Sequence, residues 1–411
     1  MAIFDFVLVG SSDGILKNLP IALKNAGFKI LSIAPKESTI FNSNYVDANI
    51  ECKGTSDEEF IESLIRIESQ LREIQGTFLW CSDVIMKKVA ESELEFTTKI
   101  HILPVKNPDY FGIFDSKAHQ TELFEEANVP RPISVVCKSL ITVQALEIFG
   151  EKAVLCKRSA GGGGAFIRKF ENSRELLGAS ISQDWFPIVI QEYIPGVDVS
   201  VEAYYKKGRL LLGLCSIFVL ETSLYGPSVV RDYDSKHFDY VRTTLENLGE
   251  KVQIDGFVNV TFRKHAHNNY KIIEFDPRPN VWHGAFLDLH VDFLGYYTKE
   301  QQMSSRSAQY RKRMHEPERL FSKLVADGDF KNMLNYLMGR KLKGTGKAIT
   351  CLFTDHQNHL FYRLLKVFDV VVPIRKMVLN FLITIKGWIP VSRHASIDRS
   401  SARAFLLKML Q

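Results

Sequence analysis

Ala-Val-Leu-Cys-Lys-Arg-Ser-Ala-Gly-Gly-Gly-Gly-Ala-Phe-Ile-Arg-Lys, residues Ala153–Lys169, governs how the surrounding chain is read. A short apolar run delivers Lys157 at its end. Gly161, Gly162, Gly163 and Gly164 follow, and Phe166 and Ile167 resume a strand pattern. Glycine lets the backbone approach a ligand closely and take positive φ without penalty. Exposed N–H groups of such a turn beside a lysine receive phosphate oxygens well. The alternative is a flexible hairpin tip, but an ordinary tight turn needs only one or two glycines.

Downstream, residues 187–194 read as a buried strand that ends in the hinge Gln191-Glu192-Tyr193-Ile194 and turns at Pro195-Gly196. The chain returns through Asp198 with alternating Val199, Val201 and Ala203, and Lys206-Lys207-Gly208-Arg209 marks the next hairpin. Antiparallel strands are therefore expected to about residue 219. Residues 255–262 and 270–275 form a further pair, whose second strand runs out into Glu274-Phe275-Asp276-Pro277-Arg278. Carboxylates at i and i+2 of a strand share one face. Oxygen ligands on one side of a rigid element, with an arginine nearby for an anion, suit a hard cation. Upstream, Ser116-Lys117 opens a helix that stops at Asn128-Val129-Pro130, and a strand follows at 133–136. Helices are expected over 139–149 and 172–180.

The first 105 residues open as strand, glycine turn, helix and strand (4–9, then 28–34), the start of a doubly wound α/β domain. The glycines of Gly10-Ser11-Ser12-Asp13-Gly14 do not fit GxGxxG, and Pro35-Lys36 stands where an acidic residue is needed, so this Rossmann-like domain is expected to hold no nucleotide of its own. A helix over 57–75 and strands at 77–81 and 102–105 complete the expectation.

The chain has 411 residues, enough for two or three domains. With 45% hydrophobic and 24% charged residues it reads as a soluble globular protein, and a net charge of +5 does not call for nucleic acid. Six cysteines without a CxxC pair point to reduced thiols in the cytoplasm and away from zinc. The start lacks a basic n-region, and no apolar run reaches the length of a membrane span.

Lys117 before a helix, Lys157 with its glycines, Gln-Glu-Tyr-Ile, Pro-Gly-x-Asp-x-Ser-x-Glu and Glu-x-Asp-Pro-Arg follow one another over residues 110–292. In that order they resemble the ATP-grasp ligases. The resemblance implies a pre-ATP-grasp α/β domain over 1–105 and a two-subdomain α+β ATP-grasp domain over 106–298, with a small lid subdomain at about 132–190. A mainly helical, basic extension over 299–411 would follow. It further implies ATP with Mg²⁺ (or Mn²⁺), and a carboxylate activated as an acyl phosphate for attack by an amine or similar nucleophile. Carried over by position, Lys117 and Lys157 would contact the phosphates under a lid made by the four glycines. Glu192, with the backbone of Tyr193 and Ile194, would meet the adenine edge, and Asp198 the ribose. Glu274 and Asp276 would be metal ligands, and Arg278 would stabilise the transferring phosphoryl group. One departure stands out: Thr261 occupies the place where the family usually has a metal-binding carboxylate or amide.

The stretch 223–233 reads as a loop facing the acceptor pocket, where Arg231 would recognise a carboxylate; a surface salt bridge is the competing reading. Trp282 and His283 are candidates to line the same pocket, His283 more readily as a hydrogen-bonded structural residue than as a base. Residues 360–388 are apolar and cationic enough to lie on the inner face of a membrane, although a helical cap packed on the grasp domain is favoured. A small-molecule carboxylate and an amine-type acceptor are the expected partners, with a homodimer as one assembly. Two alternatives stand beside the ligase: a non-catalytic, nucleotide-sensing relative, which Thr261 keeps open, and a biotin-carboxylase-like enzyme.

Overall fold

The computed structural model describes residues 2–11, 15–54, 56–164, 166–266, 269–304 and 308–316, with residues 319, 323, 350 and 351. Four parallel strands, β1 (Ala2–Val9), β2 (Ile30–Ala34), β3 (Ala48–Glu51) and β4 (Ile74–Trp80), build the first sheet in the order β3-β2-β1-β4. Phe6, Val7, Leu8 and Val9 are all buried, because helices cover both faces of such a sheet and its central strand is apolar throughout. The helices are α1 (Leu19–Asn25), α2 (Asp57–Arg66), α3 (Glu68–Glu73), α4 (Asp83–Glu91) and α5 (Phe96–Ile102).

Two expectations fail in this region. The single helix over 57–75 breaks at Ile67, which leaves helical geometry (φ −102°, ψ 14°), and α3 turns toward α5, where the Arg72 Nε donates to Thr98 Oγ1 at 2.9 Å. Of the expected strand at 102–105, Ile102 ends α5, and Leu103 and Pro104 form a bend. Pro104 has no N–H for a ladder, and Val105 makes only an isolated bridge to Ile254.

Helix α6 (Lys117–Glu126) leads into the lid, built from β5 (Ser134–Cys137), α7 (Val143–Glu147), β6 (Val154–Arg158), β7 (Ile167–Phe170), α8 (Ser173–Gly178) and β8 (Ile188–Glu192). Its antiparallel sheet has the order β5-β8-β6-β7. Val154, Cys156, Ile188 and Ile190 turn one face toward Leu146, Phe149 and Leu176 to make a small core of the lid's own. Alternation then puts Leu155, Lys157, Val189 and Gln191 on the opposite face.

The large sheet contains β9 (Val197–Lys206), β10 (Arg209–Glu221), β11 (Ser228–Asp234), β12 (Gly256–His265), β13 (Asn269–Asp276) and β14 (Arg311–His315), ordered β13-β12-β9-β10-β11-β14. Between β11 and β12 runs α9 (Phe238–Val252), which covers one face: Tyr205 OH donates to the Leu245 carbonyl at 2.9 Å, and a Cβ on Gly213 would overlap the Phe238 ring. Two short helices, α10 (Ala285–Asp288) and α11 (Phe293–Lys299), follow β13. Phe6 and Phe28 of the first domain meet Tyr204, Phe257, Phe293 and Tyr297 in a continuous aromatic cluster, with ring centroids 4.9–6.3 Å apart.

Residues 228–234, expected in a loop, form a strand inside this sheet. Its charges are met by partners remote in sequence, as where Arg313 holds Asp232 through two bonds of 2.5 Å. Strand β14 likewise lies in the segment expected to be mainly helical. Residues 1–316 form one compact unit and 317–411 belong to a second. The amphipathic stretch 360–388 lies outside the described residues. Among the described residues, no helix is long and apolar enough to cross a membrane.

Candidate active site

The face of the large sheet away from α9 carries the polar residues. Register pairs Thr261 with Glu274, Asn259 with Asp276 and with Glu202, and Asp198 with Arg263. A bulge at Ile273 shifts the alternation of β13 by one residue. Tyr270, Ile272 and Phe275 therefore go into the core, while Glu274 and Asp276 face the cleft together. Helix α6 is tied to this strand end, since Gln120 Oε1 accepts from the Phe275 N–H at 3.2 Å. The same helix reaches the lid, with the Lys117 N–H donating to the Ser159 carbonyl at 3.0 Å and the Lys117 Nζ bonded to the Gly161 carbonyl.

The structure brings the two lysines and the acidic pair into one electrostatic environment. Lys157 is buried and donates to Gln191 Oε1 at 2.7 Å. Burial pulls its ammonium down to about 8, against the attraction of Glu274 and with the repulsion of Lys117. Glu274 is pushed up to about 7, first by the charge of Asp276 and then by burial, while Lys117, Lys157 and Arg278 oppose the shift. Burial disfavours the charge on Arg278, but Asp83, Asp276 and Glu274 outweigh it and hold the guanidinium above its ordinary range. Arg278 NH2 donates to Asp276 Oδ2 at 3.2 Å, and its Nε to Asp83 of α4.

Two carboxylates that repel each other this strongly fit a divalent cation between them. Mg²⁺ takes one or two carboxylates and completes its shell with phosphate oxygens and water. Thr261, opposite Glu274, adds only a neutral oxygen. No group of three or more His, Cys, Asp and Glu side chains suited to a metal occurs among the described residues.

The remaining expected site residues separate into two sets. Asp198 lies near Lys157 and 3.1 Å from Arg263 Nε, with its carboxyl raised by burial against those cations. The Glu192 carboxylate is engaged by Lys152 at 3.0 Å and Lys271 at 3.5 Å. The Tyr193 N–H donates to the Ala153 carbonyl at 2.9 Å, so that donor does not face a base. Gly161, Gly163 and Gly164 have positive φ, and the Gly161 N–H donates to Asp115 Oδ1 at 2.9 Å.

Arg231 and Trp282 depart from the pocket-lining expectation, while His283 is the hydrogen-bonded structural residue that was favoured. Arg231 is 3% exposed, so its ion pair with Glu202 is not a surface bridge, and the carboxylate it recognises is internal. Its Nε donates to Ser228 Oγ at 2.6 Å, and the guanidinium sits between the Phe218 and Trp282 rings at 4.5 and 4.7 Å. Trp282 and His283 are sealed in the interior and present no face to a substrate pocket. A separate cavity of ≈ 630 Å³, lined by Lys87, His119, Arg158 and Trp185 among others, includes neither Glu274 nor Asp276.

Residues 114–281 match the family model of the ATP-grasp domain, which places this part of the chain in the ATP-grasp superfamily. No curated protein matches the sequence. Among solved structures, the biotin carboxylase domain of Hydrogenobacter thermophilus 2-oxoglutarate carboxylase, in complex with MgADP, ADP and bicarbonate, superposes with a TM-score of 0.55 at 15% identity, covering 76% of this chain and 74% of that one. The ADP complex of N5-carboxyaminoimidazole synthetase from Staphylococcus aureus gives 0.54 at 12% identity, covering 80% and 86%. The L-amino acid ligase from Bacillus licheniformis gives 0.51 at 10% identity, covering 75% and 78%. These likenesses establish the fold.

Asp83, Gln191, Asn259 and Asn280 were not anticipated. Asn280 Nδ2 donates to Asn259 Oδ1 at 2.6 Å and ties the turn after β13 to β12. Asp83 did carry a signal: it stands just past the carboxyl end of a parallel strand, where α/β sheets place their ligand-binding groups.

Proposed function

We propose that this protein is an ATP-dependent ligase that activates a carboxylate as an acyl phosphate and passes it to an amine or similar nucleophile. A carboxylate oxygen attacks the γ-phosphorus and ADP leaves; the nucleophile then attacks the acyl carbon and phosphate leaves. The observation that carries this reading is that Lys157, from the expected lid, Lys117 and Glu274 lie close enough to act on one another electrostatically. Lys117 and Lys157 neutralise the phosphates, and Arg278 meets the charge of the phosphoryl group in flight. Ile194, Glu192 and the Tyr193 carbonyl take the adenine edge, and Asp198 the ribose hydroxyls. Glu274 and Asp276 would hold Mg²⁺, which when bound supplies charge neutralisation at the β- and γ-phosphates. In this reading the lid glycines close over the triphosphate and exclude water. The neighbours named for biotin carboxylase and amino acid ligase activities keep bicarbonate and amino acids among the candidate acids.

The test is phosphate release from ATP over a panel of amino acids, sugar acids and bicarbonate, each with and without amine acceptors. Lys157→Ala is expected to lose two orders of magnitude or more in turnover, since removing one donor to transition-state charge costs about 3–4 kcal/mol. Near-normal turnover in that variant removes Lys157 from the mechanism. Nucleotide binding without acceptor-dependent phosphate release in the unmodified protein would favour a sensor instead, the alternative that Thr261 supports.

A further inference from the structure

We propose that Asp83, on α4 beside the first sheet, is the positioning residue for Arg278, so that the phosphoryl-transfer site is completed by a residue from outside the segment that carries its other members. The inference rests on the ligase reading for its kinetic consequence, though not for its geometry. Arg278 sits on the turn that follows β13, where its backbone N–H donates to the Asp276 carbonyl at 2.7 Å. A guanidinium on such a turn has several freely rotating bonds and needs an external hold. Three contacts supply it: Nε to Asp83 Oδ2, NH2 to Asp276 Oδ2 at 3.2 Å, and NH1 to the Pro279 carbonyl at 3.3 Å.

Only the Asp83 contact is independent of the cation site and of Arg278's own turn. Were Asp276 to ligate a cation, Asp83 would still hold the Nε edge and so keep the guanidinium plane. Asp83 itself stands on a rigid support. It is the first residue of α4, whose Ser82 cap accepts from the Ile85 N–H at 3.4 Å, and Ile85, Met86 and Val89 are buried beneath it. The helix N-terminus favours a negative charge there.

Folding stability does not explain the placement. Asp83 Oδ1 is buried without a hydrogen-bond partner among the described residues, and burial pushes the carboxyl up to about 6 although Arg278 pulls the other way. A buried ion pair with an unsatisfied oxygen is poor support for stability. It is a sound way to aim a guanidinium whose misplacement by about 1 Å would cost on the order of 10²-fold in rate.

The experiment uses the full chain with Asp83→Asn, Asp83→Glu, Arg278→Gln and the Asp83→Asn/Arg278→Gln double variant. For each, kcat and KM for ATP are measured with ADP affinity and unfolding midpoint, and the arginine Nε–H resonances are followed by NMR. Asp83→Asn is expected to lower kcat by about 10–100-fold with KM and ADP affinity within about threefold. Asp83→Glu, which keeps the charge, recovers part of the loss. In the Arg278→Gln background the Asp83 change adds less than about twofold, because the group it aims is gone. The Arg278 Nε–H is expected to exchange slowly in the unmodified protein and freely in Asp83→Asn. Additive losses in the double variant, an equal fall in ADP affinity, or an unaltered Nε–H resonance each overturn the proposal. If the unmodified protein releases no phosphate, the ligase reading falls, and the NMR comparison alone decides whether Asp83 fixes Arg278.

Discussion

His283, sealed in the interior, will stay neutral far into acid, and the pH dependence of folding will show it. Its Nδ1 accepts the Asn280 N–H at 2.8 Å and its Nε2 donates to the Val258 carbonyl at 3.0 Å, so the neutral ring has one acceptor and one donor, both satisfied. A second proton on Nδ1 would displace the Asn280 N–H, leaving Asn280 Oδ1, 3.1 Å away, to accept it. Burial disfavours the cation first, the charges of Arg231 and Arg278 add to it, and against the pull of the Val258 and Asn280 contacts the ring is lowered to about 3. An unfolded histidine titrates near 6.5, so the unfolded state takes the proton first as pH falls. The stabilisation is therefore fully present above about pH 6.5 and is lost progressively as pH drops toward 3. At about 1.4 kcal/mol per pH unit, cooling in stability between pH 7 and 5 amounts to about 2 kcal/mol from this residue alone. Urea unfolding of the unmodified protein and of His283→Gln at both pH values isolates it: the variant should lose about 2 kcal/mol less over the interval. Histidine ¹⁵N shifts give a direct reading, with the Nε2–H tautomer expected at pH 5. Equal pH slopes for the two proteins, or an imidazolium signature at pH 5, would refute the reasoning and restore His283 as a candidate base.

Two further outcomes follow from contacts in the site. Arg231→Met leaves Glu202, 1% exposed, without its guanidinium and should destabilise by about 3–5 kcal/mol; Arg231→Met with Glu202→Leu should recover most of that, as read from thermal unfolding. Recovery failing in the double variant would mean that Arg231 acts outside the pair. In the lid, a Cβ on Gly164 would overlap the Tyr225 carbonyl at a backbone φ of +75°, whereas one on Gly162 meets open space. Gly164→Ala should therefore raise the ATP dissociation constant about tenfold or more, from roughly 1–3 kcal/mol of strain, with Gly162→Ala within about twofold. Matching affinities for the two variants would show that lid docking on Tyr225 does not contribute.

Local periodicity carried much of the site. Val154 and Cys156 enter the lid core, and that alone turns Lys157 outward, just as the i, i+2 spacing of Glu274 and Asp276 turns both to one face. What periodicity cannot carry is a partner supplied from far along the chain. Arg231 looked like a loop residue because its neutralising carboxylate, Glu202, lies on another strand, and Asp232 looked solvated because Arg313 had not yet been placed against it. Residues 102–105 were a short apolar run, for which strand and helix end look alike until Pro104 is weighed. Asp83 was missed for the same reason as Glu202: its meaning comes from Arg278, 195 positions later. The family pattern supplied the order of the motifs, and the register supplied what Thr261 faces.

The rings of Phe6, Phe28, Tyr204, Phe257, Phe293 and Tyr297 cross continuously from the opening sheet into the large one. A chimera that exchanged the first hundred residues for those of a relative would have to inherit both sides of that seam, or leave bare aromatic surface at its centre. The lid, with a hydrophobic nucleus of its own, is under no such obligation. That smaller sheet is thus free to diverge by itself, while the other two are handed down as a single piece.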